Sequence, residues 1–272
     1  AADWSDRLQI ERVALVPLRF FSDEETALQI GRRVAEPGGG ALLGGFIHSS
    51  NWQPGAFSHL MQAARVHQLD MDLHIDEELN PNAQGMSTLV TCLSRQDHPG
   101  QVICSHACAL SMLPESQSLR LLDAMARLPI TLLTLPTTNL LLQDAQTKRT
   151  PRLRGLTLLH EAQSRAIPLL LGSDNVQDPF CRQGSMDPME AFGVGVYAAQ
   201  LHRPLDEASQ MICRAEWMNR SHARPLLVAG AVADLVLFAQ SDAGAWPSGG
   251  VARRVLRNGQ WQPVPPAFPL LH

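Results

Sequence analysis

The chain of 272 residues lacks any long hydrophobic run and any cluster of basic residues. No stretch approaches the roughly 20 apolar residues that a membrane-spanning helix requires, so we expect no membrane association. The net charge is −4 at pH 7 and the arginines are scattered, which argues against nucleic acid as a partner. The first residues also lack the basic start and apolar core of a signal peptide, so we predict a cytoplasmic protein.

Cysteine is scarce and unpaired in the sequence. The five cysteines include no C-x-x-C pair. Cys104 and Cys108 flank His106, a spacing that is also compatible with a zinc site. We favour small buried residues in a reducing compartment and expect no disulfides.

Six apolar, β-rich runs alternate with segments of helical periodicity. The runs lie near residues 11–17, 41–48, 69–76, 101–106, 129–136 and 167–174. The helical segments lie near 23–35, 57–68, 86–96, 116–127, 152–165 and 189–201, and a further helix is predicted around 205–218. A repeat of about thirty residues is typical of βαβ units, which predicts a parallel sheet buried on both faces.

The count of strands predicts an α/β fold that is a partial TIM-type (β/α) barrel, because a closed barrel of this kind has eight strands. Either the sheet is open, or the chain is the C-terminal portion of a longer protein. We expect an open barrel to expose apolar strand edges that a second chain or an N-terminal piece would cover. The barrel portion is assigned to residues 1–220.

Residues 221–272 are predicted to form a small β appendix with a Pro-rich tail. Strand-like segments at 234–238, 251–256 and 260–262 include the pair Asn258-Gly259 between the last two. An Asn-Gly pair between strand-like segments is a good signal for a β-hairpin.

Polar residues follow three of the apolar runs. His74 and Glu77 end the third run, His106 ends the fourth, and Asp174 ends the sixth. The C-terminal ends of barrel strands are where such folds carry their chemistry. Imidazole and carboxylate groups bind zinc or iron(II), and a metal-bound water becomes acidic enough to attack near neutral pH. The pattern therefore predicts a metal-dependent hydrolytic site.

Each of these residues also has a structural interpretation. A lone histidine at a strand end is more often a hydrogen-bonded loop residue, and Asp174 is also suited to capping a turn. Asp76 and Glu78 are expected to form a solvated acidic loop. The joint placement at three strand ends is what favours a site.

The sequence resembles the amidohydrolase superfamily, and within it the bacterial cytosine deaminase-like branch, over nearly the whole chain. The segments that carry the resemblance are His74-Ile75-Asp76-Glu77-Glu78, Cys104-Ser105-His106, the run from Leu171 to Phe180, and Ala233-Asp234-Leu235-Val236-Leu237. The resemblance implies that His74 and Asp174 bind the metal. It also implies that Glu77 shuttles protons to the heterocycle, that His106 acts on the water or the tetrahedral intermediate, and that Asp174 takes a proton from the water.

The departures from the family pattern concern the metal and the substrate. No two histidines lie two residues apart, so the family's opening His-x-His is missing, which agrees with the count of six strands. The resemblance therefore implies that the chain corresponds to the family from its third strand onward, without the first two. Leu18 replaces a substrate-binding glutamine, Asn175 replaces an aspartate, and Phe180 replaces a tryptophan. Two polar contacts to cytosine are thereby lost or altered, so the resemblance does not specify cytosine.

The predicted function is a metal-dependent hydrolytic deaminase that acts on a nitrogen heterocycle, uses one divalent zinc or iron ion, and releases ammonia. One alternative is an amide or cyclic imide hydrolase with the same site. A second is a non-catalytic fragment that needs its missing N-terminal part, since two protein ligands are too few for a firm metal site and His48 is a weak third candidate. The expected partners are a small heterocyclic substrate and either another copy of the chain or the missing segment.

Overall fold

The computed structural model describes residues 10–36, 41–96, 98–201, 205–218, 229–230, 232–239 and 252–263. Contacts between Cα atoms divide the chain into two compact units. One unit is Glu11–Arg224, and the other combines Ala1–Ile10 with Pro225–His272. The sequence-based boundary after residue 220 stays a prediction, because residues 219–228 lie outside the described part of the chain.

The larger unit contains one sheet of six parallel strands. The strands are β1 Arg12–Pro17, β2 Ala41–Ile47, β3 Met71–Ile75, β4 Val102–His106, β5 Ile130–Thr134 and β6 Leu169–Leu171. Their order in the sheet is their order in the chain. This topology is that of successive (β/α) barrel units, so the prediction of a partial barrel with six parallel strands is confirmed.

Helices connect or follow these strands. They are α1 Glu24–Ala35, α2 Pro54–Val66, α3 Gly85–Arg95, α4 Glu115–Met125, α5 Pro136–Leu142, α6 Leu159–Gln163, α7 Pro188–Ala198 and α8 Leu205–Ser209. The Asp23 carboxylate accepts a hydrogen bond of 2.8 Å from the Thr26 amide and caps α1. Asp187 caps α7 in the same way, with Pro188 at the first helical position. Among the described residues, no helix is long and apolar enough to cross a membrane.

The two faces of the sheet carry different residues because side chains alternate along a strand. Leu73 pairs with Cys104 on one face, which we call the packing face, and both are fully buried. A Cβ atom added at Gly45 would lie 2.8 Å from Leu60 of α2, so this face meets the helices. The opposite face, which we call the lumen face, carries Asp72, His74 and Ser105.

Cys104 and Cys108 belong to the buried core. Both are 0% exposed and neither forms a disulfide. Burial raises the pKa of both thiols well above the usual range. The interpretation of this pair as small buried residues is confirmed.

The β1 edge of the sheet is open within the described part of the chain, where β1 pairs with β2 alone. Val13 and Leu15 are 39% and 44% exposed. Leu15 lies in register with Gly44, and Gly44 pairs with Asp72. Leu15 therefore belongs to the lumen face. An exposed apolar edge is what we expect of an open barrel.

Three helical segments differ from the sequence-based prediction. The segment 152–165 is helical only in α6, because Gly155 adopts a left-handed φ of +68° that interrupts a helix. The segment 205–218 is α8 followed by two short 3-10 turns. Helix α5 was not predicted, since its seven residues are too few to show a periodic pattern.

The smaller unit contains an antiparallel sheet of three strands, β7 Leu235–Phe238, β8 Arg253–Arg257 and β9 Gln260–Trp261. Asn258 and Gly259 connect β8 to β9 with φ values of 49° and 73°. Two positive φ values are those of a type I′ turn, whose twist matches that of the flanking strands. The predicted C-terminal β appendix and its Asn-Gly hairpin are confirmed, and the predicted Pro-rich tail after residue 263 lies outside the described residues.

Candidate active site

The four residues predicted for the site lie together at the C-terminal ends of β3, β4 and β6. His106 is at the centre: its Nε2 lies 3.2 Å from His74 Nδ1 and 4.0 Å from Asp174 Oδ2. Its Nδ1 lies 3.4 Å from Glu77 Oε1. Two imidazoles and two carboxylates therefore converge on one small volume.

The backbone around this volume is strained. Asp76, His106, Ala107 and Asp174 have φ values of 51°, 70°, 47° and 62°, in the left-handed region. Such conformations cost free energy for residues other than glycine and cluster at functional sites. These left-handed residues lie at the ends of β3, β4 and β6, next to or within the set of site residues.

Both histidines of the site are held in the neutral form. Burial, and then the charge of the neighbouring His74, lower the pKa of His106 to about 3. Burial also lowers the pKa of His74, against the opposing charge of Asp72. The contact between His106 and Glu77 is therefore not an ion pair at neutral pH, and both rings keep a nitrogen lone pair available.

The carboxylates of the site are shifted in the opposite direction. Burial, and then the charge of Asp174, raise the pKa of Glu77 to about 7. Burial also raises the pKa of Asp174, although hydrogen bonds from Asn175 and Thr138 oppose the shift. A carboxyl group with a pKa near 7 exchanges a proton readily at neutral pH, as a general acid or base must.

Asp76 has a structural role that the sequence did not indicate. It is 3% exposed, and its carboxylate accepts hydrogen bonds of 3.1 and 2.8 Å from the Gly85 and Met86 amides at the start of α3. A Cβ atom at Gly85 would lie 2.4 Å from Asp76 Oδ1, so this approach requires glycine. The expectation of a solvated acidic loop is wrong here, because these amides need an acceptor.

Glu78 is also not a solvated residue. Its carboxylate accepts a hydrogen bond of 2.6 Å from the Ser49 amide and lies 3.6 Å from His48 Nε2. His48 in turn caps the short turn after β2 through Ser50. Glu78 and His48 therefore connect the loops that follow β2 and β3. Among the described residues, the group of candidate metal ligands is His74, Glu77 and His106, and it does not include His48.

Three further polar residues adjoin the site. Asp72 lies two residues before His74 on the lumen face, accepts a hydrogen bond of 3.0 Å from Ser105 Oγ, and has a pKa raised by burial. Asn139 of α5 places its Nδ2 3.1 Å from His106 Nδ1. None of the three was predicted as a site residue. The two-residue period of a strand would have placed Asp72 on the same face as His74, whereas Asn139 was missed together with its helix.

The residues predicted to bind substrate are dispersed. Leu18 is 0% exposed in the 3-10 turn Leu18–Phe21 and offers no accessible surface. Asn175 donates a hydrogen bond to the Asp178 carboxylate, and Phe180 is 68% exposed. Their contact with a substrate stays a prediction.

A cleft of about 420 Å³ lies between α5, α7 and the segment after β6. Its lining includes Thr137, Leu140, Ser173, Asn175 and Glu190. The cleft reaches both neighbours of Asp174 in sequence, but Asp174, His74, Glu77 and His106 do not line it. The candidate site is therefore the volume between the converging side chains and not this cleft.

The converging side chains fit a divalent metal ion. One ligand atom each of His74, Glu77 and His106 lies within 4.8 Å of the others, and Asp174 is adjacent. Neutral imidazole nitrogens and carboxylate oxygens are the donors that zinc and iron(II) take in proteins. The donors present at these strand ends therefore fit a His/Glu metal site.

A family model described as "Amidohydrolase family" matches residues 16–260. The chain belongs to the amidohydrolase family. The resemblance that the sequence motifs indicated is thereby confirmed.

A pterin deaminase of Rhizobium rhizogenes is 35% identical over 237 residues, which are 86% of this chain and 54% of that protein. The chain thus spans about half the length of this curated relative. A 5-methylcytosine deaminase from Klebsiella pneumoniae, liganded with phosphonocytosine, has a TM-score of 0.75 at 20% identity, covering 98% of this chain and 67% of that one.

An N-isopropylammelide isopropylaminohydrolase from Burkholderia multivorans has a TM-score of 0.69 at 22% identity, covering 96% of this chain and 64% of that one. At these identities the two structures show a shared fold, and this agrees with the partial barrel seen in the strand topology.

Proposed function

We propose that this chain carries the catalytic residues of a metal-dependent hydrolytic deaminase that acts on a nitrogen heterocycle with an exocyclic amino group. The observation that carries the proposal is the convergence of Glu77, His106 and Asp174 beside His74 at the strand ends. The pterin deaminase relative supports the same class of reaction.

One divalent zinc or iron ion is part of the proposal. His74 and Asp174 would hold it, with Glu77 and His106 within reach of the same volume. When bound, such an ion lowers the pKa of a coordinated water and polarises the group under attack.

The side chains of this chain would divide the proton transfers among them. Asp174 accepts a proton from the attacking water, while the oxygen forms a bond to the ring carbon that bears the amino group. Glu77, whose pKa is raised to about 7 by burial and by Asp174, delivers a proton to the ring nitrogen. His106 stabilises the developing negative charge on the oxygen. Asp174 then passes its proton to the amino group, the hydroxyl proton of the tetrahedral intermediate returns to Glu77, and cleavage of the C–N bond releases ammonia and leaves a ring carbonyl.

Ammonia release from a panel of heterocycles tests this function. The protein, loaded with zinc or iron(II), would be given pterin, cytosine, 5-methylcytosine, isoguanine, creatinine and an aminotriazine, with a cyclic imide as the competing class. We expect turnover of at least one aminated ring, with pterin first because of the curated relative. A blank panel from metal-loaded protein, or turnover of the imide alone, would contradict the proposal.

We also propose that another segment or a second copy of the chain covers the β1 edge and completes the site. The exposed Val13 and Leu15 support this, because they lie on the open edge of the sheet. Light scattering together with elemental analysis tests it. A monomer that binds metal tightly and is fully active would contradict it. A cytoplasmic location stays a prediction.

A further inference from the structure

The short helix α5 carries polar side chains that reach two loops of the candidate site. Near its start, Thr137 and Thr138, which we call the threonine pair, donate hydrogen bonds of 2.7 and 3.1 Å to the carbonyl oxygen of Ser173. Directly after its last residue, Gln143 donates a hydrogen bond of 3.2 Å from Nε2 to the carbonyl oxygen of Glu77. The helix and its C-terminal cap residue therefore contact both the segment after β6 and the segment after β3.

The threonine pair holds the peptide group that precedes Asp174. A carbonyl oxygen has two lone pairs, so both hydroxyl groups can donate to Ser173 at once. This peptide leads into Asp174, whose φ of 62° is in the left-handed region. Such a conformation costs free energy and persists only where the surrounding structure holds it. Thr138 is 0% exposed, and its Oγ1 also lies 3.5 Å from the carbonyl oxygen of Asn175 on the other side of Asp174.

Gln143 contacts the peptide group that follows Glu77. Its side chain is restricted by Gly155, where an added Cβ atom would lie 2.3 Å from Gln143 Cβ. Gly155 has a φ of +68°, a conformation that glycine adopts without steric cost. The chain therefore returns close against Gln143 at a residue that leaves room for it, and the amide of Gln143 faces Glu77.

We propose that the threonine pair and Gln143 are positioning residues that fix the separation of the Asp174 and Glu77 carboxylates. These carboxylates lie 4.0 Å from Nε2 and 3.4 Å from Nδ1 of His106, on two sides of one ring. In the proposed function, on which the catalytic part of this inference rests, both must reach the same substrate. A misplacement of about 1 Å is enough to lower a rate by about 10²-fold. The positions of the carboxylates themselves do not depend on the reaction.

Valine and serine substitutions separate hydrogen bonding from packing at the threonine pair. Valine keeps the shape of threonine without the hydroxyl, whereas serine keeps the hydroxyl without the methyl group. We expect Thr137→Val and Thr138→Val, made together, to lower zinc affinity and kcat by about 10–100-fold each, because Asp174 is both a proposed ligand and a base. The corresponding double serine variant should keep the values of the wild type. Calorimetric titration with zinc and ammonia release measure the two quantities.

Thr91→Val is the matched control for the valine variant. It removes a hydrogen bond of 2.8 Å from a threonine hydroxyl to the Ser87 carbonyl oxygen in α3, away from the site. Zinc affinity and kcat should be those of the wild type. Equal losses in the double valine and double serine variants would show that the threonine pair acts through packing, and no loss in the valine variant would equally overturn the inference.

Gln143→Met tests the other end of the helix. Methionine has a similar length but no hydrogen-bond donor, so the Glu77 carbonyl loses its partner. We expect kcat to fall by about 10²-fold with little change in KM, and zinc affinity to be retained, because Glu77 is the proposed proton donor. Gln29→Met in α1, which loses a hydrogen bond to Glu25, is the control with unchanged kcat. Unchanged kcat in Gln143→Met, or a loss of zinc affinity together with kcat, would contradict the assignment.

Crystal structures of the metal-free variants test the positions without any measurement of activity. We expect the double valine variant to release Asp174 from its left-handed conformation and from its 4.0 Å contact with His106. Unchanged contacts in this variant would overturn the inference. If it does not fold, Thr137→Val alone removes the shorter bond and gives the same test. Displaced carboxylates together with no turnover in any protein, the wild type included, would support the positioning and count against the proposed function.

Discussion

The lumen face and the packing face of β3 and β4 come from the same ten residues and have opposite properties. On the packing face, Leu73 and Cys104 have no exposed surface and meet the helices. On the lumen face, Asp72, His74 and Ser105 are polar and lead to the strained strand ends. The two-residue period of a strand thus lets one segment supply both stability and chemistry.

The loop after β3 repeats this division between two adjacent carboxylates. The Asp76 carboxylate accepts hydrogen bonds from two backbone N–H groups at the start of α3. The Glu77 carboxylate instead lies beside His106. Substitutions at Glu77 or on the lumen face should therefore alter the reaction and metal binding. Substitutions at Asp76 or on the packing face should alter the stability of the fold.

The largest effect is expected for Glu77→Gln. The amide keeps the shape of the side chain but has no transferable proton, so kcat should fall by about 10²–10⁴-fold or more. Glu78→Gln is the matched control, because Glu78 contacts Ser49 and His48 instead of His106. Ammonia release at saturating substrate checks the pair. Equal activity in the two variants would show that Glu77 is only a loop carboxylate.

Loss of a residue that only supports a metal ligand typically weakens metal binding by roughly 10–100-fold. Because His74 is proposed to be a ligand itself, His74→Gln should weaken binding by more than this. The cause is the loss of a neutral imidazole nitrogen at the centre of the grouped donors. Elemental analysis after dialysis against a defined zinc concentration measures it. His48→Gln should retain the metal of the wild type, and similar losses in both variants would contradict the assignment.

Leu73→Ala tests the packing face. The change leaves a cavity against fully buried neighbours and should lower the free energy of unfolding by about 2–5 kcal/mol. Ser105→Ala on the lumen face removes one hydrogen bond to Asp72 and should cost about 1–3 kcal/mol. Urea unfolding of metal-free protein compares them. If Ser105→Ala lowered the free energy of unfolding by more than Leu73→Ala does, the assignment of stability to the packing face would be wrong.

The smallest effect is the pH dependence of stability that Glu77 causes. Its pKa is raised from 4.5 to about 7, so between these values the folded state binds more protons than the unfolded state, and stability falls as pH rises. Glu77→Gln removes this contribution. Relative to the wild type, the free energy of unfolding of the variant should increase by about 1–3 kcal/mol between pH 4 and pH 8, since one pKa unit corresponds to about 1.4 kcal/mol.

Urea unfolding of metal-free protein at the two pH values measures this difference. Asp76, whose pKa is raised to about 6 by burial, is present in both proteins and cancels in the comparison. A constant difference between the proteins across this pH range would show that Glu77 titrates normally in the folded state.

The sequence by itself determined the strand order and the four converging residues. Continuous apolar runs at regular spacing predict parallel strands, and polar residues at their ends must meet at one edge of the sheet. His74, Glu77, His106 and Asp174 could therefore be identified before any coordinates. The Asn258-Gly259 hairpin was equally predictable, because its turn depends on two adjacent residues.

Only the tertiary structure decided the partners of these residues. Asp76 caps a helix that begins nine residues later, and Asn139 reaches His106 across 33 residues of chain. Helix α5, which carries Asn139, is too short to show a period and exists because it packs against α7 and the strand ends. Local patterns specify which face a residue occupies, but the position of a side chain that comes from a distant segment follows from packing alone.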